Sequence, residues 1–169
     1  ERTMINSKLL PLTTGSGAAI LIGATYSQNN KLYNAALLLE KGKIKAVHKK
    51  SLLPNYDVFD EKRYFTPGRN QTIEKFGNLP AAITICEDVW NDRGFFASPA
   101  YSMDPLEILF KQGARLLINL SASPYHLGKH QLRENLFAFL AKKYNSGIIY
   151  LNQVGGNDEL IFDGTSLVY

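Results

Sequence analysis

Apolar residues recur along this chain in two alternating patterns, short continuous runs and one long stretch with helical spacing. The long stretch is Lys129–Tyr144, where Leu132, Leu136, Phe137 and Leu140 fall on one face of an amphipathic helix. The short runs have the length and composition of buried strands. They cover Ala18–Tyr26, Leu32–Leu39, Ile44–His48, Leu79–Cys86, Ala114–Leu120, Gly147–Gln153 and Glu159–Tyr169. Strands that alternate with helices in this way predict an α/β fold.

Turn and cap residues place boundaries between these elements. The stretch from Glu40 to Lys43 predicts a hairpin turn between two of the strands. Asp104 is placed as a helix N-cap, with a proline after it and Glu107 in the capping-box position. That helix is expected to end near Gly113.

Composition narrows the class of protein. The 169 residues are 45% hydrophobic and 20% charged, values of an ordinary globular domain, and the net charge is +4. The single cysteine and the lack of a membrane-length apolar run or a signal-peptide pattern predict a cytoplasmic protein that contacts no membrane. The short basic stretch from Lys41 to Lys50 is interpreted as a hairpin edge, and no nucleic-acid partner is expected. No motif with metal-ligand spacing is present in the sequence.

Reactive side chains follow three of the predicted strands. Cys86 ends one strand, the segment Ser121–Lys129 follows another, and Lys50 follows a third. Reactive groups collect at the carboxyl ends of strands in α/β sheets, which favours one site. Glu87 and Asp88 would oppose ionisation of the neighbouring thiol unless a cation or a general base offset them. On this evidence, a structural and a catalytic cysteine both remain open.

Four segments together resemble one family. They are KKSLLPNYDVFDEKRYFTPG (49–68), ICEDVW (85–90), NLSASPYHLGK (119–129) and NQVGGNDELIFDG (152–164). Their order and spacing are similar to those of the glutaminase domains of glutamine-dependent NAD synthetases, within the nitrilase, or carbon–nitrogen hydrolase, superfamily. The resemblance covers the chain from about Ala18 to its end. It implies a four-layer αββα sandwich, which this chain is expected to contain incompletely at both ends.

The resemblance also assigns site residues. It implies that Cys86 is the nucleophile that attacks the side-chain amide of glutamine, and that Lys50 stabilises the thiolate and the developing oxyanion. Glu61 resembles a second glutamate near that lysine, with a surface salt bridge to Lys62 or Arg63 as the alternative. The residues implied to line the glutamine pocket are Tyr56, Glu87, Ser123 and, because some relatives have arginine there, less closely Lys129.

One role implied by the resemblance has no matching residue. The family's catalytic triad contains a glutamate on an early strand, and Glu1 and Glu40 stand in the wrong context for it. The segment alone is therefore expected to be a weak or inactive amidase. No cofactor is expected in this domain, whereas ATP, magnesium and deamido-NAD are expected in an absent synthetase domain. A homo-oligomer is implied by the resemblance, and a stand-alone amidase or a non-catalytic interaction domain remains an alternative.

Overall fold

The chain divides into two compact units, residues 1–70 and 71–169. The computed structural model describes residues 2–15 and 17–169, so Glu1 lies outside the described residues. Helices and strands occur in both units, which confirms the predicted α/β class.

The first unit contains an antiparallel meander of three strands in the order β1-β2-β3. Asn29 and Asn30 make the first two-residue turn and Lys41 and Gly42 the second, and all four have positive φ. Such turns match the twist of the strands that they join, and the second is the turn expected between Glu40 and Lys43. The helical turns and strands are α1 (Arg2–Met4), a π-helical turn (Ile5–Leu9), α2 (Leu10–Leu12), β1 (Ala19–Gln28), β2 (Lys31–Glu40), β3 (Lys43–Lys49) and α3 (Glu61–Tyr64).

The second unit is built on a five-stranded sheet in the order β10-β7-β6-β5-β4. Its three central strands, β5 to β7, are parallel, and the two edge strands pair antiparallel to them. A separate hairpin joins β8 to β9. The elements are β4 (Glu74–Phe76), β5 (Leu79–Ile85), a 3-10 turn (Cys86–Val89), α4 (Pro105–Lys111), β6 (Leu116–Ser121), α5 (Lys129–Tyr144), β7 (Gly147–Asn152), β8 (Val154–Asn157), β9 (Leu160–Asp163) and β10 (Leu167–Val168).

The hydrophobic core of the second unit lies between this sheet and its helices. Leu106 and Leu109 of α4 and Leu136 and Leu140 of α5 are fully buried in it. Phe110 and Tyr144 stack with their ring centroids 4.0 Å apart. The predicted apolar stripe of Lys129–Tyr144 therefore packs as expected, and the helix has the predicted bounds.

Three expectations about the elements are wrong. Cys86 does not belong to β5 but begins the 3-10 turn. The stretch Glu159–Tyr169 is not one strand: the chain turns after Asp163, where Gly164 and Thr165 have positive φ, and so forms β9 and β10 separately. Asp104 caps α4 by accepting from two backbone N–H groups, but the Glu107 carboxylate accepts from Lys111 instead of completing a capping box.

Candidate active site

Cys86 lies where the central strand β5 gives way to a 3-10 turn. Its φ is +41°, a left-handed value that is uncommon for a residue with a side chain. The turn is closed by Asp88, whose Oδ2 accepts a hydrogen bond from the Ile85 N–H at 3.0 Å. Cys86 is partly exposed, whereas both acidic neighbours are buried. Backbone conformations of this kind concentrate at functional sites, so the cysteine has the setting of a reactive residue.

Glu87 directly follows Cys86, and it is only 6% exposed. The hydroxyl of Tyr101 donates a hydrogen bond to its Oε1 at 3.1 Å. The two carboxylates after the cysteine therefore have different partners: Asp88 binds the backbone and Glu87 binds a phenol.

Lys129 is a positively charged residue in the unit that also contains Cys86. It is the first residue of α5, and its Nζ lies 3.9 Å from the centroid of the Trp90 ring. Desolvation by burial, followed by the Arg133 charge, lowers the pKa of Lys129, while the charges of Cys86, Glu87 and Asp163 oppose that change. The Lys129 ammonium is thus partly desolvated and lies over an aromatic ring.

Ser123 is held in place by its backbone. Its N–H donates to Asn152 Oδ1 at 2.8 Å, and its carbonyl accepts from Arg133 Nη2 at 2.9 Å. The Arg133 side chain is completely buried and also forms an ion pair with Asp163, in which Nη1 donates to both carboxylate oxygens, at 2.7 and 2.8 Å. The loop after β6 is therefore fixed from α5, β7 and β9.

Lys50 and Glu61, in the first unit, form an ion pair. The Lys50 side chain is 2% exposed and that of Glu61 is 19% exposed. The amide of Asn34 also donates to Glu61, at 3.4 Å. Glu61 thus pairs with Lys50, whereas Arg63 lies near Asp60, at 3.9 Å.

Tyr56 is the most exposed of the predicted site residues, at 51%. Its ring packs edge-on against Phe59, with the centroids 5.8 Å apart. These two aromatic residues lie in the loop between β3 and α3.

Sequence reasoning missed two residues of this site. Arg133 lies on the predicted helix as one polar residue among many, and only its complete burial distinguishes it. Tyr101 lies in a loop without periodicity, so nothing in the pattern connects it with Glu87. A buried arginine needs a carboxylate partner, and Asp163, in the motif at 152–164, could have been considered as that partner.

Within residues 2–15 and 17–169, no group of three or more histidine, cysteine or acidic side chains is placed to hold a metal ion. No helix in these described ranges is long and apolar enough to cross a membrane.

A family model for carbon–nitrogen hydrolases matches residues 7–169. The chain belongs to the carbon–nitrogen hydrolase family. This match extends over both units, including the segments that hold Lys50, Cys86 and Ser123.

Relatives of this carbon–nitrogen hydrolase domain are glutamine-dependent NAD(+) synthetases. The protein from Synechocystis is 49% identical over 155 residues, which are 88% of this chain and 28% of the relative. The protein from Thermotoga maritima is 43% identical over 156 residues, which are 92% of this chain and 25% of the relative. The chain thus spans about a quarter of the length of these relatives.

Solved structures agree with the fold. A glutamine-dependent NAD+ synthetase from Acinetobacter baumannii, in complex with ADP, has a TM-score of 0.86 and 33% identity, covering 99% of this chain and 29% of that one. An amidase from Nesterenkonia sp. has a TM-score of 0.78 and 20% identity, covering 98% of this chain and 58% of that one. The second likeness shows the nitrilase-type fold alone.

Proposed function

We propose that this chain is the amide-hydrolysing part of a glutamine-dependent NAD synthetase, with Cys86 as its nucleophile. The observation that carries the proposal is the placement of Cys86, a partly exposed thiol with φ +41° at the end of a central parallel strand. The names of the relatives support glutamine as the substrate.

The reaction follows from thiol chemistry. The Cys86 sulfur attacks the carbon of the side-chain amide, the C–N bond breaks, and the thiol proton leaves with the nitrogen as part of ammonia. Water then hydrolyses the thioester, which yields glutamate and restores the thiol. A thiol with an ordinary pKa is only about 3% ionised at pH 7, so the site needs a cation or a base to favour attack.

Two lysines are proposed to supply positive charge to this reaction. Lys129 is one candidate, because the charge of Cys86 acts on its pKa. The family resemblance assigns Lys50 to the thiolate and the oxyanion, with Glu61 holding its ammonium. An arginine would offer a substrate carboxylate a two-pronged contact, whereas Lys129 offers a point charge.

Four side chains are proposed to hold the glutamine. The buried Glu87 would accept a hydrogen bond from the α-ammonium group, and Lys129 would attract the α-carboxylate. Tyr56 and Ser123 would line the pocket, although the Ser123 hydroxyl also lies 3.4 Å from Arg133 Nη2. In the whole protein, the released ammonia would amidate deamido-NAD in a reaction that uses ATP and magnesium.

The test uses the full-length gene product with Cys86→Ala. NAD formation from deamido-NAD and ATP is measured with glutamine and, separately, with ammonium chloride as the nitrogen source. We expect glutamine-dependent synthesis to disappear and ammonia-dependent synthesis to persist. Unchanged use of glutamine would make Cys86 a structural thiol and refute the proposal.

A further inference from the structure

The Tyr101 hydroxyl makes a hydrogen bond to the Glu87 carboxylate. The bond is 3.1 Å long and runs from the phenol to Oε1. A phenol hydroxyl can donate one hydrogen bond, and here it donates to one of the two carboxylate oxygens. This contact restrains the Glu87 side chain relative to the backbone that also carries Cys86.

The backbone of Tyr101 is itself anchored by one buried amide. The Tyr101 N–H donates to Asn91 Oδ1 at 3.0 Å, and Asn91 Nδ2 donates to the Tyr101 carbonyl at 2.9 Å. The same Nδ2 reaches the Met103 carbonyl at 2.8 Å. Asn91 is completely buried, so water does not compete for these bonds.

Asn91 lies close in sequence to the 3-10 turn that contains Cys86 and Glu87. It follows the 3-10 turn Cys86–Val89 by two residues, and the chain returns to it through Tyr101. The Arg93 guanidinium also links two parts of this stretch of chain, because it donates a hydrogen bond to the Ser102 carbonyl at 2.9 Å. Nucleophile, carboxylate and phenol therefore lie on one closed segment, residues 86–103, which we call the Cys86 segment.

We propose that Tyr101 is a positioning residue that sets the preference of the site for amides bearing an α-ammonium group. It acts through Glu87 and touches no reacting atom. This inference rests on the proposed function, because it needs Cys86 to hydrolyse glutamine. A carboxylate held in one orientation binds an ammonium with less loss of side-chain freedom than a mobile one.

The expected consequence is a selective rise in KM. Tyr101→Phe removes only the hydroxyl, and a hydrogen bond to a charged group changes binding by roughly tenfold. KM for glutamine should rise by about that factor with kcat nearly unchanged, since the amide end of the substrate is unaffected. Glutaramate, the same amide without the α-amino group, should react with both proteins alike.

Tyr144→Phe is the matched control. It too removes a tyrosine hydroxyl that hydrogen-bonds a buried carboxylate, here Asp92 at 3.2 Å, and it leaves Glu87 untouched. KM for glutamine should be that of the wild type in this variant. Both variants are made in the full-length gene product, and their unfolding curves are compared with the wild type.

A binding measurement tests the role of Tyr101 without turnover, in case the substitution lowers activity by impairing folding. Calorimetry with glutamate, the product, compares Cys86→Ala with Cys86→Ala/Tyr101→Phe, and the double variant should bind roughly tenfold more weakly. Equal affinity, or a KM that rises equally for glutamine and glutaramate, would overturn the role of Tyr101. Failure of the proposed function is distinct, because Cys86→Ala would then still hydrolyse glutamine.

Discussion

Glu87 and Asp88 are the two residues after Cys86, but their carboxylates have different hydrogen-bond partners. Asp88 accepts from the backbone of Ile85 and closes the turn. Glu87 accepts from Tyr101 and is the acid that we propose for substrate binding. A 3-10 turn directs adjacent side chains about 120° apart, so neighbouring acids reach different partners. The sequence shows that both acids are present, and only the turn explains why both are tolerated beside Cys86.

His48 gives a prediction at the same scale. Burial lowers its pKa from 6.5 to about 4 in the folded chain. Between those two pH values the unfolded chain takes up a proton that the folded chain does not, so stability is fully present above about pH 6.5 and is lost as the pH falls towards 4. The loss is on the order of 3 kcal/mol, which His48→Gln should largely remove. Urea unfolding of this chain and the variant at pH 7, 5.5 and 4.5 measures it.

The effect of His48 is the difference in free energy of unfolding between wild type and variant at each pH. The carboxylates titrate in the same pH range in both proteins, so their contribution cancels in this difference. If wild type and His48→Gln lose the same free energy of unfolding between pH 7 and 4.5, the buried histidine is not the cause. A constant offset between the two curves would report only lost packing.

At the scale of elements, the segment after α3 makes a close backbone contact at Gly68. The Gly68 N–H donates to the Lys50 carbonyl at 2.7 Å. A Cβ at this glycine would lie 2.5 Å from the Lys49 carbonyl oxygen, too close for a backbone atom that cannot move aside. Gly68→Ala should therefore displace Lys50, the residue directly after β3. We expect a loss of glutamine-dependent activity of at least tenfold and a free-energy cost of about 1–3 kcal/mol.

Gly23→Ala is the matched control for this substitution. Gly23 lies in β1 of the same unit, and a Cβ there meets nothing within 4 Å. Glutamine-dependent and ammonia-dependent synthesis should both stay at wild-type rates in this variant. Full activity of Gly68→Ala would show that the contact is relaxed at no cost to the site.

Elements with a strong local signal are those that sequence reasoning predicted well. The bounds of α5 were predicted correctly, because Gly128 and Asn145 flank an apolar stripe of helical period. The single strand predicted over Glu159–Tyr169 was wrong, because its apolar residues belong to a hairpin and to an edge strand. Apolar content predicts that a segment is buried, but it does not predict which strand the segment pairs with. Whether the chain turns at Gly164 depends on contacts with residues that are distant in sequence. The same limit explains Tyr101, whose partner Glu87 lies beyond an aperiodic loop.

At the scale of the molecule, two of the sequence motifs meet in one network around the buried Arg133. The loop at 119–129 contributes Ser123, and the motif at 152–164 contributes both Asn152 and Asp163. Arg133 connects them from α5. The motifs could be recognised in the sequence, but their joint role requires the three-dimensional contacts, since Arg133 belongs to none of them. The network supports the candidate site by fixing the loop that precedes Lys129.

The second unit has a hydrophobic core made from its own helices and sheet. Its 99 residues are enough to bury such a core. We therefore predict that residues 71–169, produced alone, unfold in one cooperative transition, followed by near-ultraviolet circular dichroism in urea. Leu136→Ala, at a fully buried position, should lower the free energy of unfolding by about 2–5 kcal/mol, because it leaves a cavity. Leu127→Ala, at a position that is 91% exposed, should change it by less than about 0.5 kcal/mol. A gradual transition, or equal effects of the two substitutions, would mean that this core does not stabilise the unit by itself.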